Sequence, residues 1–208
     1  MKEEFSYTLV ADWTRPPLQG GVEADAGGCL SALEPHQKLL LLSDGSLTVE
    51  LELLYGGRVE AEVIYHGYTT LSPEEADLLL EDQENESVER LVWLTVGGRR
   101  LVYARTLIPL GCLDGSLRGE LARRSGEPLG RVLNSIKIPF GKEGLEIGVI
   151  RCEAAASGFE AAPSTPLTAR RYLLSNIGYD ANRVIKALVT EFFSPEALPA
   201  WHPGDARL

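Results

Sequence analysis

The 208-residue sequence has little of what would mark a metal, nucleic-acid or membrane protein. Its three cysteines, Cys29, Cys112 and Cys152, are far apart and outside any CxxC spacing, and its three histidines, His36, His66 and His202, form no paired motif. A metal site is therefore not expected, and core or surface roles are the reading for all six residues. No lysine- or arginine-rich run offsets the formal net charge of −10, which repels phosphate backbones at long range and argues against nucleic acid as a partner. No apolar run approaches the roughly 18 to 20 residues of a membrane span. The opening MKEEFSYTLV is acidic where a signal peptide is basic and then apolar, so a cytoplasmic location and no membrane partner are expected. Gly141 and Gly144 lack the GxGxxG or GxxxxGK(S/T) spacing of a nucleotide site, and no GxSxG elbow points to nucleophilic hydrolysis.

What is present suits one well-packed core. A hydrophobic content of 44% in a chain of this length predicts a single domain over residues 1–208, with an N-terminal arm over 1–30 and a C-terminal tail over 196–208. The pairs Pro16-Pro17, Gly20-Gly21 and Gly27-Gly28 interrupt the arm, which leaves room for one short strand near Tyr7 to Val10. Leu33 to Leu42 reads as a helix. Leu47, Leu51, Leu54 and Tyr55 fit a second helical face behind a potential N-cap at Ser46, although VELEL also alternates like a strand. Strands are predicted at Val59 to His66, Leu145 to Cys152, Arg170 to Ser175 and Ile185 to Phe193, the last two joined by a bend containing Gly178, Asp180 and Asn182. Short helices are predicted from Ser72, over Ser116 to Arg124, and through Val132 and Leu133, with a loop over Ala154 to Pro166. Hairpin-joined strands with a few helices between them make the fold class α+β, a single mostly antiparallel sheet with helices packed against it.

The segment VERLVWLTVGGRRLVYARTLIP, Val88 to Pro109, carries two arginines where core side chains are expected. If Gly97-Gly98 is a two-residue turn with no bulge, Val92 faces Tyr103 and Arg90 faces Arg105 on one side of the sheet. Like charges directly opposite destabilise a sheet, and a buried unpaired guanidinium costs several kcal/mol, so the pair demands an anion. The bland alternative is that each arginine reaches water along its aliphatic stem. Glu191 is as conspicuous, inside the apolar strand LVTEFF. Alternation could place it towards solvent; otherwise it is a desolvated carboxylate able to accept a proton or a hydroxyl hydrogen bond. The turn Pro128-Leu129-Gly130 precedes a helical segment, and its amides could converge on an anion, as at any loop-to-helix junction.

Together these segments resemble the chorismate pyruvate-lyase family. The resemblance runs from LLLSDGSLT, Leu40 to Thr48, through ARTLIP, GEPLGRVL and LEIG to TEFFSP, Thr190 to Pro195, about three quarters of the chain. It implies release of 4-hydroxybenzoate and pyruvate from chorismate, as part of aromatic-acid and quinone-precursor synthesis, with no metal or organic cofactor. By the same resemblance Arg90 and Glu191 are the catalytic pair. Arg90 binds the ring carboxylate with the Leu129 amide, Arg105 meets the enolpyruvyl carboxylate or the departing oxygen, and Glu191 orients the ring hydroxyl or accepts the proton. Leu47 falls near the family's ligand-covering flap. The chain departs from the family in having Arg90-Leu91 for the usual Arg-Glu, and in a longer segment from Gly158 to Ile185 than the shorter members carry. Two rival functions remain at this point. One is a non-catalytic small-molecule sensor of the same fold, and the other is a lyase acting on a chorismate analogue. The sequence leaves oligomeric state open.

Overall fold

Gly97 and Gly98 adopt φ values of +57° and +80°, the mirror-image turn that a two-residue hairpin needs, and they join β3 (Ser87–Val96) to β4 (Arg99–Pro109). The computed structural model describes residues 5–16, 30, 33–113, 115–135, 137, 140–176 and 186–200. The predicted bend at Gly178, Asp180 and Asn182, together with Cys29 and His202, lies outside them. Among the described residues seven strands form one sheet: to β3 and β4 are added β1 (Thr8–Thr14), β2 (Val59–Thr69), β5 (Phe140–Arg151), β6 (Leu167–Asn176) and β7 (Lys186–Phe193). Their order is β1-β5-β6-β7-β4-β3-β2, and every neighbouring pair is antiparallel. The fold is thus α+β around a single antiparallel sheet.

Both faces of that sheet are covered, which is why β3 is buried at all ten positions and shows no polar alternation. On one face lie α1 (Pro35–Leu42), α2 (Leu47–Tyr55), α4 (Gly115–Arg123) and α5 (Leu129–Ser135), packed over Val92, Leu94, Val102, Val189 and Phe193. On the other, α3 (Pro73–Leu79) packs on Leu107 and Leu188, and α6 (Glu153–Gly158) on Trp93, Tyr103 and Phe192. The ambiguous segment after Ser46 is a helix, stopped by Gly56 in the left-handed region at φ +68°. The segment predicted as a loop from Ala154 instead begins inside α6. Gly158 ends that helix so close to the Trp93 indole that an added Cβ would lie 2.3 Å from it, so the small residues there serve close packing. The start of the predicted tail is also in the core, with Ala197 and Leu198 buried under the first face. Among the described residues no helix is long and apolar enough to cross a membrane.

A bulge changes the hairpin's consequences. Thr95 pairs with Arg100 but Leu94 pairs with Val102, so Leu101 is the extra residue and every pair beyond it shifts by one. Arg90 therefore faces Thr106, not Arg105, and Arg105 faces Leu91. Because side chains alternate along a strand, that single extra residue puts the two arginines on opposite faces.

Candidate active site

Rows of side chains across the first face define the site. One row runs His66, Arg90, Thr106, Val189 and Tyr172 over β2, β3, β4, β7 and β6; the next runs Val92, Ala104, Glu191 and Arg170. Above them is a cavity with about 620 Å³ of non-protein space, part of it open to solvent. Arg90, Thr106, Tyr172, Lys142 and Glu191 line its floor, Leu129 and Gly130 of α5 one wall, and Ser46 and Leu47 at the start of α2 another. The structure thus brings Arg90, Glu191, Leu129 and Leu47 to one cavity and leaves Arg105 out of it.

Arg90 is 7% exposed, and among the described residues no carboxylate pairs with it. Its Nη2 donates to the main-chain carbonyls of Ser125 and Glu127, at 2.5 and 2.7 Å, in the turn between α4 and α5. Burial alone pushes its pKa down to about 10, so it stays cationic at neutral pH. His66, across the strand from it, is held below its ordinary value by burial and by the Arg90 charge, and so adds no second cation near neutrality. Carbonyls solvate the guanidinium without neutralising it. The demand for an anion inferred from the sequence remains, now at the cavity floor. Beside it, the Leu129 and Gly130 amides sit in the first turn of α5, where helix geometry provides no intrahelical acceptor.

Glu191 is buried but not the unaccompanied carboxylate that its sequence context suggests. Arg170 Nε donates to its Oε2 at 2.6 Å and the Tyr172 hydroxyl to its Oε1 at 3.2 Å. Burial, and then the Glu191 charge, push the Tyr172 hydroxyl well above its ordinary value, so it remains a donor. Each carboxylate oxygen keeps a lone pair for a further donor. Arg170 is fully buried and also donates through Nη1 to the Leu40 and Leu41 carbonyls at the C-terminus of α1, where cations complement the exposed carbonyls. Lys142 Nζ donates to the Ser43 carbonyl just beyond, at 3.2 Å. Two walls are thus fastened to the sheet by its own cations, the α4–α5 turn by Arg90 and α1 by Arg170 and Lys142.

Arg105 belongs to the opposite face. Its Nε donates to Glu89 at 2.6 Å and its Nη1 to Glu75 on α3, while Phe5 stacks on it at 5.1 Å. Burial raises the Glu75 pKa, but the Arg105 charge and bonds to Ser72 outweigh it and hold the carboxyl below its ordinary value. The expectation that Arg105 shares a face with Arg90 fails because of the Leu101 bulge. Arg170, Tyr172 and Lys142 were not singled out from sequence, and the one visible signal was the Arg170-Arg171 doublet inside an apolar stretch.

Comparison with known proteins follows the same segments. The family model described as chorismate pyruvate-lyase, Rv2949c-like, matches residues 41–202. A protein from Methylococcus capsulatus named probable chorismate pyruvate-lyase is 32% identical over 156 residues, 74% of this chain and 91% of the relative. One of the same name from Marinobacter nauticus is 36% identical over 134 residues, 64% of this chain and 65% of the relative. Among solved structures, PhnF from Mycobacterium smegmatis is similar with a TM-score of 0.60 at 20% identity, over 75% of this chain and 66% of that one. Its effector domain alone is similar with a TM-score of 0.57 at 19% identity, over 74% and 91%. At these identities the structural likeness speaks to fold.

Proposed function

The chain belongs to the chorismate pyruvate-lyase Rv2949c-like family, and on that premise we propose that it eliminates pyruvate from chorismate to leave 4-hydroxybenzoate. The observation that carries this reading is that Arg90 and Glu191 stand on one sheet face, two strands apart, over a single cavity. Two strand spacings are about 10 Å at the backbone, which leaves room between the side chains for a six-membered ring with a carboxylate at one end and a hydroxyl at the other.

In the reaction the C–H bond at the hydroxyl-bearing carbon breaks and its electron pair completes the aromatic ring. The neighbouring ether C–O pair leaves with the enolpyruvyl oxygen, and the proton ends on the enolpyruvyl methylene, giving pyruvate. Aromatisation drives this, and no external electron acceptor is consumed. The residues mainly position: Arg90 and the Leu129 amide take the ring carboxylate, Leu47 covers the ring, and Glu191 accepts a hydrogen bond from the ring hydroxyl. Arg170 and Tyr172 hold that carboxylate in register. The net charge of −10 opposes approach of a dianion, which makes cations at the cavity floor necessary for capture.

The test is incubation of purified protein with chorismate, followed by chromatography for 4-hydroxybenzoate and a coupled pyruvate assay. Equal amounts of the two products are expected. Absence of any aromatic product at high enzyme concentration overturns the reading; chorismate bound and recovered intact would make the chain a sensor, and turnover only of an analogue would change the substrate.

Because Arg105 points away from the cavity, Arg105→Ala is expected to leave 4-hydroxybenzoate affinity within about 3-fold while costing roughly 1–3 kcal/mol of stability, since Glu89 and Glu75 each lose an ion pair. The sign with pH follows from Glu75, whose depressed value contributes stability above the ordinary carboxylate range that is lost as pH falls through the folded value. Urea titrations should therefore show the wild type converging on the variant in acid. A large loss of ligand affinity with unchanged stability would place Arg105 at the site after all.

A further inference from the structure

Chorismate carries two carboxylates, and only the ring carboxylate has so far been given a receptor. The enolpyruvyl ether is attached next to the hydroxyl-bearing carbon. With the ring carboxylate at Arg90 and the hydroxyl at Glu191, the second carboxylate must therefore lie on the Glu191 side of the cavity, away from Arg90. Arg105 is on the other face of the sheet. Among the described residues lining the cavity the cations are Arg90 and Lys142, and they stand on β3 and β5 with the Glu191 strand, β7, between them.

Resting on the reading above, we propose that Lys142 is the receptor for the enolpyruvyl carboxylate, the second anionic group that distinguishes the substrate from its aromatic product. Lys142 pairs across the sheet with Leu174, which puts its side chain on the cavity face. Its Nζ lies 4.9 Å from the Tyr172 ring centre and donates to the Ser43 carbonyl, leaving two of its three N–H donors for a ligand. Charge balance agrees. Glu191 is offset by Arg170 behind it, so the lining presents two cations, Arg90 and Lys142, that no direct ion pair occupies among the described residues.

Lys142 has no direct carboxylate partner among the described residues. Arg170 and Tyr172 on β6, Glu191 on β7, Glu50 on α2 and Asp44 in the α1–α2 loop are the charged or titratable groups around it. Burial, and next the Arg170 charge, lower its pKa to about 8 against the smaller opposing effect of the three carboxylates. In the free enzyme it is protonated at neutral pH and loses its charge in mild alkali. After elimination this end of the cavity holds pyruvate, while 4-hydroxybenzoate keeps only the Arg90 end.

The experiment compares chorismate turnover with 4-hydroxybenzoate binding in wild type, Lys142→Met and Lys142→Arg. Lys142→Met is expected to lower kcat/KM for chorismate by about 30- to 1000-fold, chiefly through KM, and to leave the Kd for 4-hydroxybenzoate within about 3-fold. Lys142→Arg should recover most of the loss. The wild-type kcat/KM should fall above pH 8, a limb that the arginine variant lacks. Equal losses in turnover and product binding, or no loss in either, overturn the assignment while wild-type turnover leaves the lyase reading standing. If the wild type itself yields no product from chorismate, the lyase reading fails and this inference fails with it.

Discussion

Arg90→Gln is expected to weaken both chorismate turnover and 4-hydroxybenzoate binding by about 100- to 1000-fold, because both ligands present the same ring carboxylate and the lost group is a buried, charge-assisted donor. This parallel loss is what separates Arg90 from Lys142. The size follows from the setting: Arg90 is held among carbonyls that orient it without cancelling its charge, so the bound carboxylate meets a preorganised cation. Arg90→Lys is not expected to rescue. One ammonium cannot satisfy the Ser125 and Glu127 carbonyls and still present a planar fork to a carboxylate. Since the same contacts fasten the α4–α5 turn, thermal melts should accompany the binding data. A variant that melts several degrees lower but binds 4-hydroxybenzoate within about 3-fold of wild type would reduce Arg90 to a turn anchor.

The contrast between Arg90 and Arg105 shows where sequence reasoning reaches and where it stops. The hairpin itself was legible, because two glycines between apolar runs specify a turn that few other residues allow. The face on which each arginine lies was not, because it depends on one bulge at Leu101, and nothing in RRLVYAR announces an extra residue. Glu191 could be found as a polar residue in an apolar strand. Arg170 belongs to a strand buried on both faces, where alternation vanishes and an arginine has no local signal of its orientation. Lys142 was hidden differently. The strand expected from Leu145 begins earlier, at Phe140: Gly144, at φ +62°, sits where the β5–β6 register shifts, and β5 runs through it. The run from Ala154 to Pro166 reads as a loop from its Gly, Ser and Pro content, whereas its first residues complete α6 and Gly158 packs against Trp93.

The second large effect concerns Arg170. Arg170→Met is expected to cost about 3–5 kcal/mol in urea titrations, because it strands the buried Glu191 carboxylate without its counter-charge. It also removes the donor to the Leu40 and Leu41 carbonyls, so part of the cost arises where α1 meets the sheet. These contributions can be separated. Adding Glu191→Gln to Arg170→Met removes the stranded charge but not the orphaned carbonyls, so the double variant should be more stable than Arg170→Met alone by more than about 1 kcal/mol. Turnover should behave otherwise, since the double variant does not restore a correctly held Glu191 carboxylate, and kcat should stay low while stability recovers. If Glu191→Gln brings no recovery, Arg170 serves as a brace for α1, and the positioning of Glu191 must be sought in Tyr172.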